Sequence, residues 1–229
     1  MGKSFNIGMK SIVLITVGII ALVVAFIFIT ENQIQVENGD ITFDISPPID
    51  NQPTMGEASA PVTIVEFGDY KCPACKAWNE SVFPKIEEEY ISSGKVKFSY
   101  INTLFHGEES ALAAMASESV WNQDNDAFWD FHKEIFIHQP EAQRHDDVWV
   151  TPEKLIDIAV SVGNEIDLET LAEDMIKQTY KEDVLKDQEL VEQYQVSLTP
   201  SIVINGTMVE DPFDYEHIVS LIEKELESN

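Results

Sequence analysis

The chain has 229 residues, two of them Cys, and 44% apolar side chains, enough for one sizeable core and unlike any collagenous, low-complexity or disordered composition. Its 41 acidic residues against 14 Lys and Arg give a formal charge of −27, which excludes general nucleic-acid binding, because that needs cations to displace phosphate counterions. Two thiols also exclude the disulfide framework of a small secreted scaffold and an all-cysteine zinc site, which takes four thiolates.

Ile12 to Ile29 is an apolar run of 18 residues. As a helix it would span roughly 27 Å, close to the hydrocarbon thickness of a bilayer. Lys3 and Lys10 precede it and every acid follows it, so the positive-inside rule leaves the N-terminus in the cytoplasm and everything after residue 30 outside. A cleaved signal peptide would need a shorter apolar core and small residues before the cut. Phe26-Ile27-Phe28-Ile29 does not offer them, so the segment reads as an uncleaved, single-pass anchor.

Residues 31–60, with Pro47, Pro48 and Pro53, read as an extracytoplasmic linker carrying at most one short strand at Ile41–Ile45. Val62–Phe67 is a short β-rich apolar run. From Cys72 the apolar spacing turns helical, with a kink expected at Pro84, and Val96–Leu104 is a second strand. Strand, helix, strand predicts a parallel pair with a crossover helix. Helices follow at Ser110–Trp121, Phe128–Ile137, Thr151–Val162 (Thr151 as cap, Pro152 in the first turn), Leu168–Gln178 and Glu182–Gln195. Trp121, Phe128, Trp129, Phe131 and Phe136 are their expected core. Ser201–Ile204 and Met208–Val209 flank Asn205-Gly206, a strong hairpin signal, and Asp214–Leu226 closes the chain as a helix. The pattern is α/β: two sheet-forming parts, 61–104 and 196–229, with a helical domain, 105–195, inserted between them.

Both cysteines lie in Lys71-Cys72-Pro73-Ala74-Cys75-Lys76, after a strand and at a helix start. With Cys72 as cap and Pro73 in the first turn, the helix N-terminus stabilises a thiolate on Cys72. Cys75, one turn deeper, faces back and is less exposed, so Cys72 exchanges and Cys75 resolves. Position at a helix start argues against burial of both. The two lysines are either solvated or offset the acidic field around the motif. Three other readings compete. A structural disulfide over so short a segment would stabilise little. Half of a zinc site would need partners such as His132 and His138, far along the chain. The third is a pair of inert core thiols. Asp124-Asn125-Asp126 and Asp211–Asp214 are candidates for calcium, but solvated helix caps explain them better. Asn79-Glu80-Ser81 and Asn205-Gly206-Thr207 are glycosylation sequons.

The run Ala60-Pro61-Val62-Thr63-Ile64-Val65-Glu66-Phe67-Gly68-Asp69-Tyr70-Lys71-Cys72-Pro73-Ala74-Cys75 resembles the active-site region of the DsbA-like thiol:disulfide oxidoreductases, in particular the membrane-anchored BdbD type of Gram-positive bacteria. The resemblance, over about residues 55–229, implies a thioredoxin fold with an inserted helical domain, preceded here by the N-terminal transmembrane helix. It implies that Cys72 is the nucleophile, Cys75 the resolving thiol, Pro73 and Ala74 the dipeptide of the motif, and Glu66 a semi-buried acid that moves a proton to or from Cys75. Thr199 and Pro200 match the family's cis-proline loop, which pairs with substrate peptide. His106 matches a frequent His, read as packing or capping. The implied activity is oxidation of thiols in exported proteins, without a cofactor for the exchange, with reoxidation by a quinone-linked membrane partner of the DsbB/BdbC type and an associated calcium ion whose ligands the motifs do not reveal. A Pro-Ala dipeptide departs from relatives that carry His between the cysteines. The rival readings are a reductase or isomerase, and a membrane-tethered calcium-dependent binding module with a structural disulfide.

Overall fold

A computed structural model describes residues 35–37, 39–141, 147–163 and 166–228. The proposed anchor lies outside them, and among the described residues no helix is long and apolar enough to cross a membrane. Seven strands form one sheet: β1 (Gln35–Glu37), β2 (Asp40–Thr42), β3 (Thr54–Met55), β4 (Val62–Gly68), β5 (Val96–Asn102), β6 (Ser201–Ile204) and β7 (Thr207–Met208), in the order β1-β2-β7-β6-β4-β5-β3. The two central apolar runs, β4 and β5, pair in parallel from Val62↔Val96 to Gly68↔Asn102. β6 lies antiparallel on the other side of β4. Their apolar runs are continuous rather than alternating because helices cover both faces.

The crossover from β4 to β5 is helix α1 (Pro73–Ser81), a short α2 (Phe83–Ile86) and a π-helical turn at Glu87–Ile91. The break expected at Pro84 comes at Val82, two residues before it, because Pro84 has no N–H for the carbonyl one turn back and its ring crowds that carbonyl. Among the described residues between β5 and β6 lie five helices: α3 (Glu108–Gln123), α4 (Asn125–His138), α5 (Pro152–Val162), α6 (Leu168–Lys177) and α7 (Lys181–Gln193). α8 (Tyr215–Ser228) ends the chain. Thr151 caps α5 through Lys154 N, and Asn205-Gly206 makes the β6–β7 turn with both residues at positive φ. Asp124 accepts from Asp126 N and Ala127 N, and Asp214 from His217 N, so both calcium candidates read in the sequence serve as caps or turn ligands.

Three large cores follow from this layout, beside a small cluster of Ala114, Met115 and Val184 between α3 and α7. One, on one face of the sheet, packs Trp78, Ile86, Phe98, Ile202 and Ile218. The opposite face packs Phe43, Phe67, Ile101 and Tyr194. The third fills the helical insert with Phe128, Phe131, Ile135, Phe136, Leu155 and Ile158 and reaches Tyr70, Cys72 and Cys75. Trp121 and Trp129 only flank it, half-buried. β2 overlaps the short strand expected at Ile41–Ile45 and extends the sheet at β7, but residues 40–55 do more than link: β3 pairs with β5, and Phe43 is buried. Strands of two or three residues carry no local periodicity, and their pairing comes from the rest of the sheet.

Candidate active site

The pair sits where β4 hands over to α1. Cys72 is the N-cap of α1 with extended backbone, Pro73 opens the helix, and no acidic residue occupies its first turn. The positive end of the helix is therefore left to the Cys72 sulfur. That thiol is pulled down from 9.0 to about 6, first by a hydrogen bond from the Cys75 thiol, then by Thr199 and the backbone N–H groups of Cys75 and Ala74, against a burial that raises it. Cys75 shows the opposite: burial first, then its bond to Cys72 and the charge of Glu66, push it well above the usual thiol range. One thiolate shared unequally between two sulfurs is the chemical content of the site.

Both sulfurs are buried, Cys72 at 7% and Cys75 at 0% exposure. The expectation that a helix start would not bury both is corrected: the loop before β6 closes over Cys72, whose Sγ lies 3.4 Å from the Thr199 carbonyl. The Thr199-Pro200 bond is cis. Asp69 N lies 3.4 Å from Cys75 Sγ, and Gln139 Nε2 donates to the carbonyls of Tyr70 and Cys72 at 2.9 and 3.2 Å.

Neither flanking lysine is solvated, and neither appears among the causes of the low Cys72 pKa. Lys71 is buried and ion-paired with Glu109, whose other oxygen accepts the backbone N–H groups of Trp149 and Val150 at 2.9 Å. Lys76 pairs with Glu80 at 2.7 Å and caps the end of α4 through the Phe136 carbonyl at 2.8 Å. Their work is to fasten the active-site helix to the insert. His106 likewise is structural: its Nδ1 meets the buried Asp69 carboxylate at 2.8 Å, which also accepts from Lys71 N and Ser110 Oγ. His132 and His138 do not make the second half of a zinc site, since His132 spends both ring nitrogens on Tyr70 and Asn79, and His138 turns to the Glu134 carbonyl.

Glu66, on β4, is fully buried, and burial holds its carboxyl well above the usual carboxylate range, against a lowering bond from Asn79 and with help from Cys72. A Cβ on Gly68 would lie 2.4 Å from the Tyr100 ring and 2.9 Å from Glu66 Oε1, so only glycine lets that ring and the carboxyl group share this end of the strand. Asn79, seen in the sequence only as a sequon, donates to both Glu66 oxygens at 3.2 and 3.4 Å. Its sequon gave no hint of this role. Its place one helical turn past Cys75, on the same face, is the signal that carried it.

A thioredoxin sheet with a Cys-Pro-Ala-Cys dithiol at a helix N-terminus, a buried acid behind it and a cis-proline loop across it is the arrangement of a thiol:disulfide oxidoreductase. The thioredoxin family model matches residues 49–224. Disulfide bond formation protein D of Bacillus subtilis is 46% identical over 190 residues, 83% of this chain and 84% of that protein. The crystal structure of oxidised BdbD from Bacillus subtilis superposes with a TM-score of 0.77 at 46% identity, covering 81% of this chain and 98% of that one. Chlamydia trachomatis DsbA shares the fold, with a TM-score of 0.68 at 23% identity over 76% of this chain and 91% of that one. The chain belongs to the thioredoxin family, with the DsbA-like disulfide bond formation proteins of the D type, and is a protein disulfide oxidoreductase.

Proposed function

We propose that the chain works as an oxidase, passing the Cys72–Cys75 disulfide to pairs of thiols in reduced, exported proteins outside the cell membrane. The observation that carries this reading is the unequal pair: a Cys72 thiolate held at about pKa 6 by the helix start and the Cys75 thiol stabilises the reduced form, which makes the disulfide a good electron acceptor. A substrate thiolate attacks Cys72 Sγ, the Cys72–Cys75 bond breaks, and Cys75 leaves with its electron pair and takes a proton from Glu66. A second substrate thiolate then attacks the substrate sulfur of the mixed disulfide, and Cys72 leaves as the thiolate the site is built to hold. Two electrons and one disulfide have changed hands. The Thr199 carbonyl of the cis Thr199-Pro200 loop lies beside Cys72 Sγ, and this loop receives substrate, the Thr199 backbone pairing with an extended peptide. In the direction of reoxidation Glu66 takes the Cys75 proton instead, and a quinone-linked membrane protein of the DsbB/BdbC type removes the electrons. No cofactor enters the exchange. The test is transfer from the oxidised chain to a reduced, unfolded protein with two thiols. One disulfide gained per chain reduced is expected, and a chain that only reduces disulfides, or does neither, contradicts the reading.

The apolar run Ile12–Ile29 supports a single-pass anchor that keeps residues after 30 on the extracytoplasmic face. Full-length chain should remain with membranes through a high-salt wash and be digested by protease added outside cells. Release by the wash, or protection from the protease, contradicts the placement.

A calcium ion is the third part of the proposal. Glu118 of α3 and Asp187 of α7 are buried, and Asn102 Nδ2 donates to both, at 3.0 and 2.9 Å. Burial first, then neighbouring acids, push Glu118 up to about 8, and burial lifts Asp187 to about 6. Gln52 Oε1 and Asn102 Oδ1 are buried without a hydrogen-bond partner. Among the described residues no three His, Cys, Asp or Glu side chains converge, so the donor set is two carboxylates and two amide oxygens. That all-oxygen set suits calcium rather than zinc. Bound there, the ion would neutralise the two acids and tie β5, α3, α7 and the Gln52 loop together, with no part in the exchange. At a hundredfold excess over its dissociation constant calcium should raise the melting temperature by about 5–10 °C, and Glu118→Gln with Asp187→Asn should remove that response. A melting curve indifferent to calcium would contradict the site.

A further inference from the structure

Glu66 has a buried carboxyl group that must gain and lose a proton each cycle, yet it has no exposed surface. Its contacts lead away from the cysteines in one direction. Asn79 Nδ2 donates to Glu66 and to the Cys75 carbonyl, so its Oδ1 is left to face His132 Nε2 at 3.4 Å. That amide oxygen only accepts, so His132 carries its proton on Nε2. Nδ1 is then an acceptor, and the Tyr70 hydroxyl donates to it at 3.0 Å. Every donor in the row Tyr70, His132, Asn79 points toward Glu66. His132 stays neutral, its pKa lowered to about 3 by burial, so the row cannot reverse by charging the ring.

Asn79 and His132 also line a cleft between the α1–α2 segment and α4, with a volume of about 370 Å³, walled by Phe83, Trp129 and Phe136. We propose that Asn79 and His132 are positioning residues that hold the Glu66 carboxyl group at the head of an oriented hydrogen-bond row, with the cleft they line bringing solvent within one side chain of it. This rests on Glu66 being the proton partner of Cys75. The balance is simple: Cys75–SH and the Glu66 carboxylate give Cys75–S⁻ and a Glu66 carboxylic acid, which later returns its proton to water. An amide donor favours the ionised acid, which suits Glu66 to accept when Cys75 must attack. The titratable groups facing Glu66 are Cys72 and Cys75 from the helix start and Tyr70 and Tyr100 from the β4 and β5 side. Glu80, Glu87, Asp130 and Lys133 stand around the cleft.

The test loads Cys72 with glutathione as a mixed disulfide and follows its release by Cys75 across pH. Asn79→Leu deletes a charge-assisted bond, so the midpoint of the pH profile should rise by roughly one unit, slowing release severalfold near neutrality, while the midpoint for alkylation of Cys72 in the reduced protein stays near 6. His132→Phe keeps a ring among its aromatic neighbours, guards against a folding failure at position 79, and should move the profile the same way by less. Glu66→Gln should flatten the acidic limb. If Glu66→Gln changes the profile and both other variants superimpose on the unmodified protein, the proposed roles of Asn79 and His132 are wrong and Glu66 keeps its own. If Glu66→Gln superimposes too, the reading of Glu66 fails and takes this proposal with it.

Discussion

Cys72→Ser abolishes oxidation of a reduced two-thiol protein, leaving only the uncatalysed background, whereas Cys75→Ser, which cannot carry the disulfide, traps a disulfide-bonded substrate: the Cys72 thiolate breaks the substrate disulfide, one substrate sulfur leaves as a thiolate, and the mixed disulfide that remains has no Cys75 to resolve it. The asymmetry follows from the helix start. Cys72 is the sulfur the helix end, Thr199 and Cys75 stabilise as an anion, and at about pKa 6 it is the better leaving group of the two. Cys75 is buried and kept protonated by burial and by Glu66, so it meets no substrate and acts only on the sulfur beside it. A serine hydroxyl at position 72 is not ionised near neutrality and forms no disulfide. Non-reducing gels of each variant with a disulfide-bonded substrate check this: no adduct for Cys72→Ser, and a persistent one for Cys75→Ser that dithiothreitol releases. Oxidation surviving in Cys72→Ser, or adducts forming through Cys75, would reverse the assignment.

The reduced chain resists unfolding better than the oxidised one, and the difference fades in acid. Cys72 has a pKa depressed in the fold, from 9.0 to about 6. A depressed pKa contributes stability that is fully present above the unfolded value, shrinks as pH falls from 9 toward 6, and is lost below 6. The disulfide form has no such group. At pH 7 the contribution is about 1 kcal/mol after allowance for solvent screening. Paired denaturant melts of the two redox forms at pH 5, 7 and 8.5 should show the gap opening with pH. A gap that is constant, or widest in acid, would contradict the low pKa. Alkylation checks the same property. At pH 7 the larger thiolate fraction is nearly offset by its lower nucleophilicity, leaving a few-fold advantage over an ordinary thiol. The midpoint near pH 6, rather than the rate, is therefore the decisive reading.

The parts of this fold legible in the sequence are those whose cause is local. Val62–Gly68 and Ser201–Ile204 are apolar runs, Thr151-Pro152 is a cap followed by a first-turn proline, and Asn205-Gly206 supplies two residues that accept positive φ. Cys72 and Cys75 were legible for the same reason, being three residues apart at a helix start. What was hidden is what distant residues make together. β3 exists only because β5 offers it an edge, and β2, legible as a short strand near Ile41, gave no sign that it would pair with β7. Lys71 looked like a surface cation because its partner, Glu109, is 38 residues away. Glu118 and Asp187 lie on different helices and share only Asn102. Tyr70, Asn79 and His132 form their row across three elements, and the sequence showed the last two as a sequon and a weak zinc candidate.

The equilibrium reduction potential of Cys72–Cys75, titrated against glutathione buffers from pH 5 to 8.5, tests the central claim most directly. A site that holds a Cys72 thiolate gives a potential at or above that of the glutathione pair, falling by about 59 mV per pH unit below pH 6 and by only about 30 mV per unit above it, because the reduced pair then keeps one proton instead of two. A potential far below glutathione, with the steeper slope continuing through pH 8, would mean that the site does not hold a Cys72 thiolate and that the chain does not work as an oxidase.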